Sequence, residues 1–136
     1  MDEVGPNGAR ALLWHQGESD LAGGTSTEDY TVRLSEIITT SRIEAGWELP
    51  WIVAKASFLP NYDTSDMERI VNAQQAVIDA DPLTFEGPYT DDLIGEQWRY
   101  DSVHFNELGL IEHANRWETS ILPIIPDYNV YDDDGD

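Results

Sequence analysis

The sequence contains no cysteine, and that absence removes disulfides, thiol nucleophiles and thiolate metal sites from its chemistry. Basic side chains are scarce as well. Seven Lys and Arg stand against 27 Asp and Glu in 136 residues, a formal charge of −20. No patch can then neutralise phosphates, which excludes nucleic acid and anionic membranes as partners. Long apolar runs are missing, since none approaches the roughly 18 residues that a membrane span needs. Residues 1–6 carry neither the basic start nor the apolar core of a secretory signal, so the compartment stays open. The three histidines, His15, His104 and His113, lack the HExxH spacing, and the carboxylates are too abundant for any cluster to stand out as a metal site. Nothing in the sequence calls for a cofactor.

What is present is enough for one small domain, residues 1–125, followed by an acidic tail or linker, 126–136. The tail's Asp132-Asp133-Asp134-Gly135-Asp136 resembles a calcium loop at first sight. Placing Gly135 at the sixth loop position puts Val130 at the first, where its side chain cannot ligate, so the pattern fails. The excess of acid has a further consequence. Self-repulsion favours unfolding at low salt, which suits either a saline source or an acidic secreted protein with a solvated surface.

The pattern of apolar residues predicts alternating strands and helices. Residues 9–14 read as a buried strand, and Gly17, Gly23 and Gly24 mark a loop after it. Ser26 with Asp29 opens a helix whose apolar face is Tyr30, Leu34, Ile37 and Ile38 and which ends at Gly46. A second strand follows at 51–56. The next helix is predicted to start near Ser65, capped with Glu68, and to carry a stripe of Ile70, Val71, Gln74, Val77 and Ile78. A third strand is expected at 89–94, interrupted by two aspartates. The last helix runs from the cap Asn106 to about Leu122, aligning Leu110, Ala114, Trp117 and Ile121. Such an order implies right-handed crossovers and a parallel sheet covered by helices, with ligands at the carboxyl ends of the strands.

Two polar clusters fall on that rim, Trp14-His15-Gln16-Gly17-Glu18-Ser19-Asp20 and Asp101-Ser102-Val103-His104-Phe105-Asn106. His104 has the chemistry of a general base, because imidazole titrates where a hydroxyl proton must be taken and returned. Asp101, three residues earlier, can accept its Nδ1–H, or else cap the helix while His104 fills a polar niche. Gln16 offers a neutral side-chain donor suited to an oxyanion, and Gly17 allows a sharp turn with room for substrate. The alternative is a strand-end turn above a buried Trp14.

The two blocks together resemble the SGNH (GDSL-like) hydrolases, specifically the sialate O-acetylesterase and carbohydrate esterase family 6 branch, over roughly residues 9 to 122. The resemblance implies a three-layer α/β fold of the SGNH-hydrolase or flavodoxin-like kind. It also implies a serine esterase acting on acetylated sugars such as acetyl-xylan or O-acetyl sialic acid, and a secreted or periplasmic setting. It assigns His104 and Asp101 to the base and its orienting acid and Gln16 to the oxyanion hole. Glu18 becomes a support for the serine loop or for the histidine. One block departs from the pattern: the Gly-x-Ser turn bearing the nucleophile has no counterpart among the 13 residues before Trp14. The expectation is therefore a domain incomplete on its N-terminal side, inactive alone, with an unpaired strand edge that invites self-association or a completing segment.

Three competing readings remain. Gly17-Glu18-Ser19-Asp20-Leu21 can be parsed as a degenerate serine turn with Ser19 as nucleophile. The chain can instead be a non-catalytic sugar-binding remnant, with Trp47, Trp51, Trp98 and Tyr100 as stacking surfaces. A glycosidase using two carboxylates leaves the Gln-Gly-Glu and Asp-x-x-His pairing unexplained.

Overall fold

Three residues of the apolar run before His15 lock into a sheet. A computed structural model describes residues 8–125, and in it β1 is Leu12–Trp14, the second half of the predicted strand. The proposed tail at 126–136 lies outside the described residues. A short helix, α1 (Glu18–Gly23), occupies what the glycines suggested was loop. The long helix α2 (Thr27–Ala45) is capped as the sequence predicts: Ser26 Oγ accepts from the Asp29 N–H at 3.0 Å, and Gly46, at φ 74°, ends it in the left-handed conformation. β2 is Trp51–Lys55. The next helix, α3 (Thr64–Ala80), starts earlier than predicted, because Asp63 rather than Ser65 is its cap and accepts from the Asp66 N–H at 3.0 Å. After β3 (Thr84–Tyr89), α4 (Glu107–Ile121) closes the order, with Asn106 Oδ1 accepting from the Gly109 N–H at 2.9 Å.

The third strand departs most from expectation. It occupies 84–89 and ends where the sequence suggested it began, leaving Asp91 and Asp92 in the turn beyond. Gly87 and Pro88 hide it, since both read as strand breakers. Gly87 is required because a Cβ there would lie 2.8 Å from the Ala54 nitrogen and 2.8 Å from the Val53 carbonyl carbon. Pro88 is tolerated because β3 is an edge strand.

The sheet is parallel in the order β1-β2-β3, with Leu12 opposite Trp51 and Trp51 opposite Thr84. Central β2 is buried on both faces and reads as an unbroken apolar run. One face carries the core: Tyr30, Leu34 and Ile38 of α2 and Ile70, Ala73 and Val77 of α3 close over Trp51 and Val53, while Ile37 is exposed. Leu12 and Trp14 pack against that core, so strand alternation turns Leu13 to the other face, where α4 lies. The result is a small three-layer α/β sheet. On the α4 side the predicted stripe is aligned but, among the described residues, not covered. Leu13 is 46% and Leu110 57% exposed, and with Ala114, Trp117 and Ile121 they line an open groove of about 630 Å³.

Candidate active site

The carboxyl ends of β1 and β2 are joined by one buried side chain. Gln74 of α3 lays its amide against Ala56 like a strand peptide: Oε1 accepts the Ala56 N–H at 3.0 Å and Nε2 donates to the Ala56 carbonyl at 2.9 Å. Nε2 also donates to the Gln16 carbonyl at 3.0 Å, which accepts the Tyr30 hydroxyl at 2.7 Å as well. Trp14 Nε1 donates to the same hydroxyl at 3.2 Å. The turn carrying Gln16 is thus held by backbone-directed bonds from two helices. A Cβ on Gly17 would fall 1.9 Å from the Ala56 oxygen. Its φ of −179° is an extended angle open to any residue. Glycine is needed here for close approach to the end of β2, and not for the sharp turn or the substrate space that the sequence suggested.

The Gln16 side chain is aimed by Asp20, whose Oδ2 accepts from Nε2 at 2.7 Å while its Oδ1 accepts from Thr25 Oγ1 at 2.7 Å. An amide nitrogen has two hydrogens, so one donor remains. Glu18 accepts the Gly17 N–H at 3.0 Å and lies 3.7 Å from His15 Nε2. Burial pushes its carboxyl up, but the neighbouring His15 ring and the backbone N–H groups of Glu18 and Gly17 outweigh this and hold it at about 2.

The second cluster is a tight loop before α4. Its ends are tied by the antiparallel bridge of Arg99 with Phe105, and the Tyr100 N–H donates to the His104 carbonyl at 3.1 Å. At the tip, Asp101 Oδ1 accepts the N–H groups of Val103 at 2.9 Å and His104 at 2.7 Å, and Oδ2 accepts from His104 Nδ1 at 2.6 Å. The hydrogen bond from the His104 ring, followed by its backbone N–H, holds the Asp101 carboxyl at about 2. Of the two candidate orienting carboxylates, Asp101 is the one bonded to His104. With Nδ1–H committed, Nε2 carries the lone pair, on a side chain that is 68% exposed. Tyr100 stacks on that ring at 5.9 Å between centroids.

Gln16 and His104 are not hydrogen-bonded to each other among the described residues, but their neighbours meet. His15 and His113 lie 4.7 Å apart and His113 and Phe105 5.1 Å apart, ring centre to ring centre, placing both clusters on one rim. Trp117 Nε1, which can only donate, reaches His113 Nε2 at 2.9 Å, and His15 Nδ1 reaches the same nitrogen at 3.2 Å. His113 must then carry its proton on Nδ1 and accept at Nε2. Burial, then the charges of His15, Arg99 and Arg116, pull it down to about 4.

Ser19 is exposed on α1, and no hydrogen bond among the described residues joins it to His15 or His104. Ser57 is buried and donates to Asp91 Oδ2 at 2.5 Å, while Asp91 Oδ1 gathers the Ser57 and Phe58 N–H groups. Sequence reasoning missed Gln74, Asp91, Arg99 and the His15–His113 contact. Only Gln74 left a trace, as the single polar member of an apolar stripe.

The family model for carbohydrate esterases described as sialic acid-specific acetylesterase matches residues 2–122. No curated protein and no solved structure matches the chain.

Proposed function

The chain belongs to the carbohydrate esterase family described as sialic acid-specific acetylesterase, and from that premise we propose that its rim is the acid–base and oxyanion half of a serine O-acetylesterase site. The observation that carries this reading is the 2.6 Å bond from His104 Nδ1 to Asp101, which leaves Nε2 as a base on an exposed ring. In the proposed reaction a serine hydroxyl attacks the acetyl carbonyl as its proton passes to His104 Nε2. The negative charge on the carbonyl oxygen is met by the free N–H of Gln16. Collapse expels the sugar alkoxide, which takes the proton back from His104, and water then releases acetate by the same path. Asp101 holds the tautomer and stabilises the imidazolium, and Glu18 braces the Gln16 turn. Acetylated sugars, acetyl-xylan or O-acetyl sialic acid, are the proposed substrates.

The attacking serine is assigned to a segment other than these 136 residues, since residues 1–7 and 126–136 contain no serine. The test combines aryl acetate hydrolysis with labelling by a serine-reactive phosphonate. The chain by itself is expected to show neither. Labelling and turnover that disappear in Ser19→Ala would transfer the nucleophile to α1. With a serine-bearing segment supplied, His104→Ala is expected to lower turnover by several orders of magnitude and Gln16→Ala by about 10²–10³-fold. Unchanged turnover in Gln16→Ala removes Gln16 from the oxyanion hole. One observation favours a second reading, a sugar-binding remnant: the Tyr100 ring is 71% exposed beside His104. Acetyl-xylo-oligosaccharide binding that is lost in Tyr100→Ala, without turnover under any condition, supports it.

A further inference from the structure

We infer that Arg99 is a positioning residue that clamps the Asp101–His104 pair through the peptide unit joining Val103 to His104. Arg99 is only 6% exposed. Its donors go to carbonyls and not to a carboxylate: Nε to Leu93 at 2.6 Å, Nη2 to Thr90 at 3.4 Å and Nη1 to Val103. The guanidinium lies 4.7 Å from the Phe58 ring centre and 4.3 Å from that of Phe105. A buried cation in such a niche is expensive compared with an apolar side chain, and here its desolvation is offset by bonds to three backbone carbonyls.

Of the three acceptors the Val103 carbonyl lies in the loop that carries the pair, and the Leu93 and Thr90 carbonyls lie in the turn after β3, so the guanidinium ties that loop to the end of the strand. The Val103 carbonyl is one end of a peptide whose other end, the His104 N–H, donates to Asp101 Oδ1 at 2.7 Å. That unit is gripped from both sides, by a cation on its oxygen and an anion on its hydrogen, and each bond polarises the other. The planar fork of Arg allows several carbonyls to be held at once, which a lysine ammonium on its flexible stem does not reproduce. The loop also has something to resist. Ser102, between the two site residues, is held at φ 71°, a left-handed conformation costly to a residue with a Cβ and kept only where its surroundings over-determine it. The charges facing the guanidinium are Asp91, Glu18 and Asp101, with His113 on α4 sensing it in turn.

The inference rests on the reading of Asp101–His104 as the acid–base pair, but its test needs no ester to be hydrolysed, so failure of either is seen separately. Asp101 is followed by carboxyl-carbon NMR titration and His104 by its Nδ1–H resonance, in the wild-type chain and in Arg99→Lys, which keeps the charge and loses the fork. In folded Arg99→Lys, Asp101 is expected to titrate about one pH unit higher, a tenfold change in proton affinity, and the Nδ1–H signal to disappear into exchange. A folded variant with both signals as in wild type overturns the clamp and leaves Arg99 a packing residue. If Arg99→Lys does not fold, the wild-type chain decides: amide exchange at His104 must be slower than at Ser102, and equal rates overturn the inference.

Discussion

Gln74 shows how one side chain can organise a rim. With two helices between them, the ends of β1 and β2 have no covalent reason to hold a common height, and the Gln74 amide supplies one by bonding Ala56 twice and Gln16 once. Gln74→Leu leaves two buried backbone groups, the N–H and the carbonyl of Ala56, without their partner and takes one of two donors from the Gln16 carbonyl. The expected loss is about 2–4 kcal/mol of unfolding free energy in urea titrations. A loss within about 0.5 kcal/mol, the range of ordinary surface changes, would show that the rim does not depend on it. His113 provides a pH signature. Its folded form stays neutral down to about 4, whereas the unfolded chain takes up the proton near the usual histidine value of roughly 6.5. Stability from this group is therefore lost as pH falls from roughly 6.5 towards 4 and is level below that. Glu18 and Asp101, both held at about 2, keep their contributions above the ordinary carboxylate range and lose them only as pH falls through it towards 2. Neither acts in the window between pH 7 and 5, where His113 does. His113→Gln retains an acceptor for Trp117 and removes the titration. The difference in urea stability between pH 7 and pH 5 is expected to shrink relative to wild type, and an equal difference contradicts the assignment.

Among the elements, β1 and α4 stand apart from the rest. Among the described residues β1 has a neighbour on one side only, and the apolar stripe of α4 beside it is open. An edge of this kind, with Leu13 raised towards an uncovered helix face, recruits another surface. The isolated chain is expected to show concentration-dependent association in sedimentation velocity, reduced by Leu13→Lys combined with Ile121→Lys. A species that stays monomeric with slow amide exchange along residues 12–14 would mean that the edge is already covered. The caps behave differently from the strands. Ser26 and Asn106 were legible in the sequence because a cap is satisfied by an N–H three residues away. The same locality misled at Ser65, where Asp63 reached the first turn before it. β3 was misplaced for the opposite reason: whether Gly87 breaks a strand or admits a neighbouring one depends on Val53 and Ala54, more than 30 residues away.

At the scale of the whole molecule, charge dominates. Arg42, Lys55, Arg69 and Arg116 are each paired with carboxylates, but over the whole sequence 27 acidic side chains stand against seven basic ones, a formal charge of −20. Screening over a Debye length of about 8–10 Å reduces this repulsion in the compact state. The melting temperature is expected to rise between low salt and molar sodium chloride, with sodium perchlorate as a control against anion-specific effects. A temperature unchanged or lower in chloride contradicts the electrostatic account.

The sequence alone determined the class of fold and one contact of the candidate site. Continuous apolar runs alternating with 3.6-residue stripes leave little but a covered parallel sheet, and Asp101 finds His104 because three residues of turn bring them together without help from elsewhere. Tertiary structure decided the rest. His15 meets His113 across 98 positions of sequence, Gln74 reaches back 58 to Gln16, and Arg99 is buried where an arginine is ordinarily solvated. A polar side chain carries no mark of whether it will face water or a buried carbonyl. Only the packing of other elements removes the water and supplies the partner, and at this rim that packing turns Gln74 from a surface-like residue into the link between two strands.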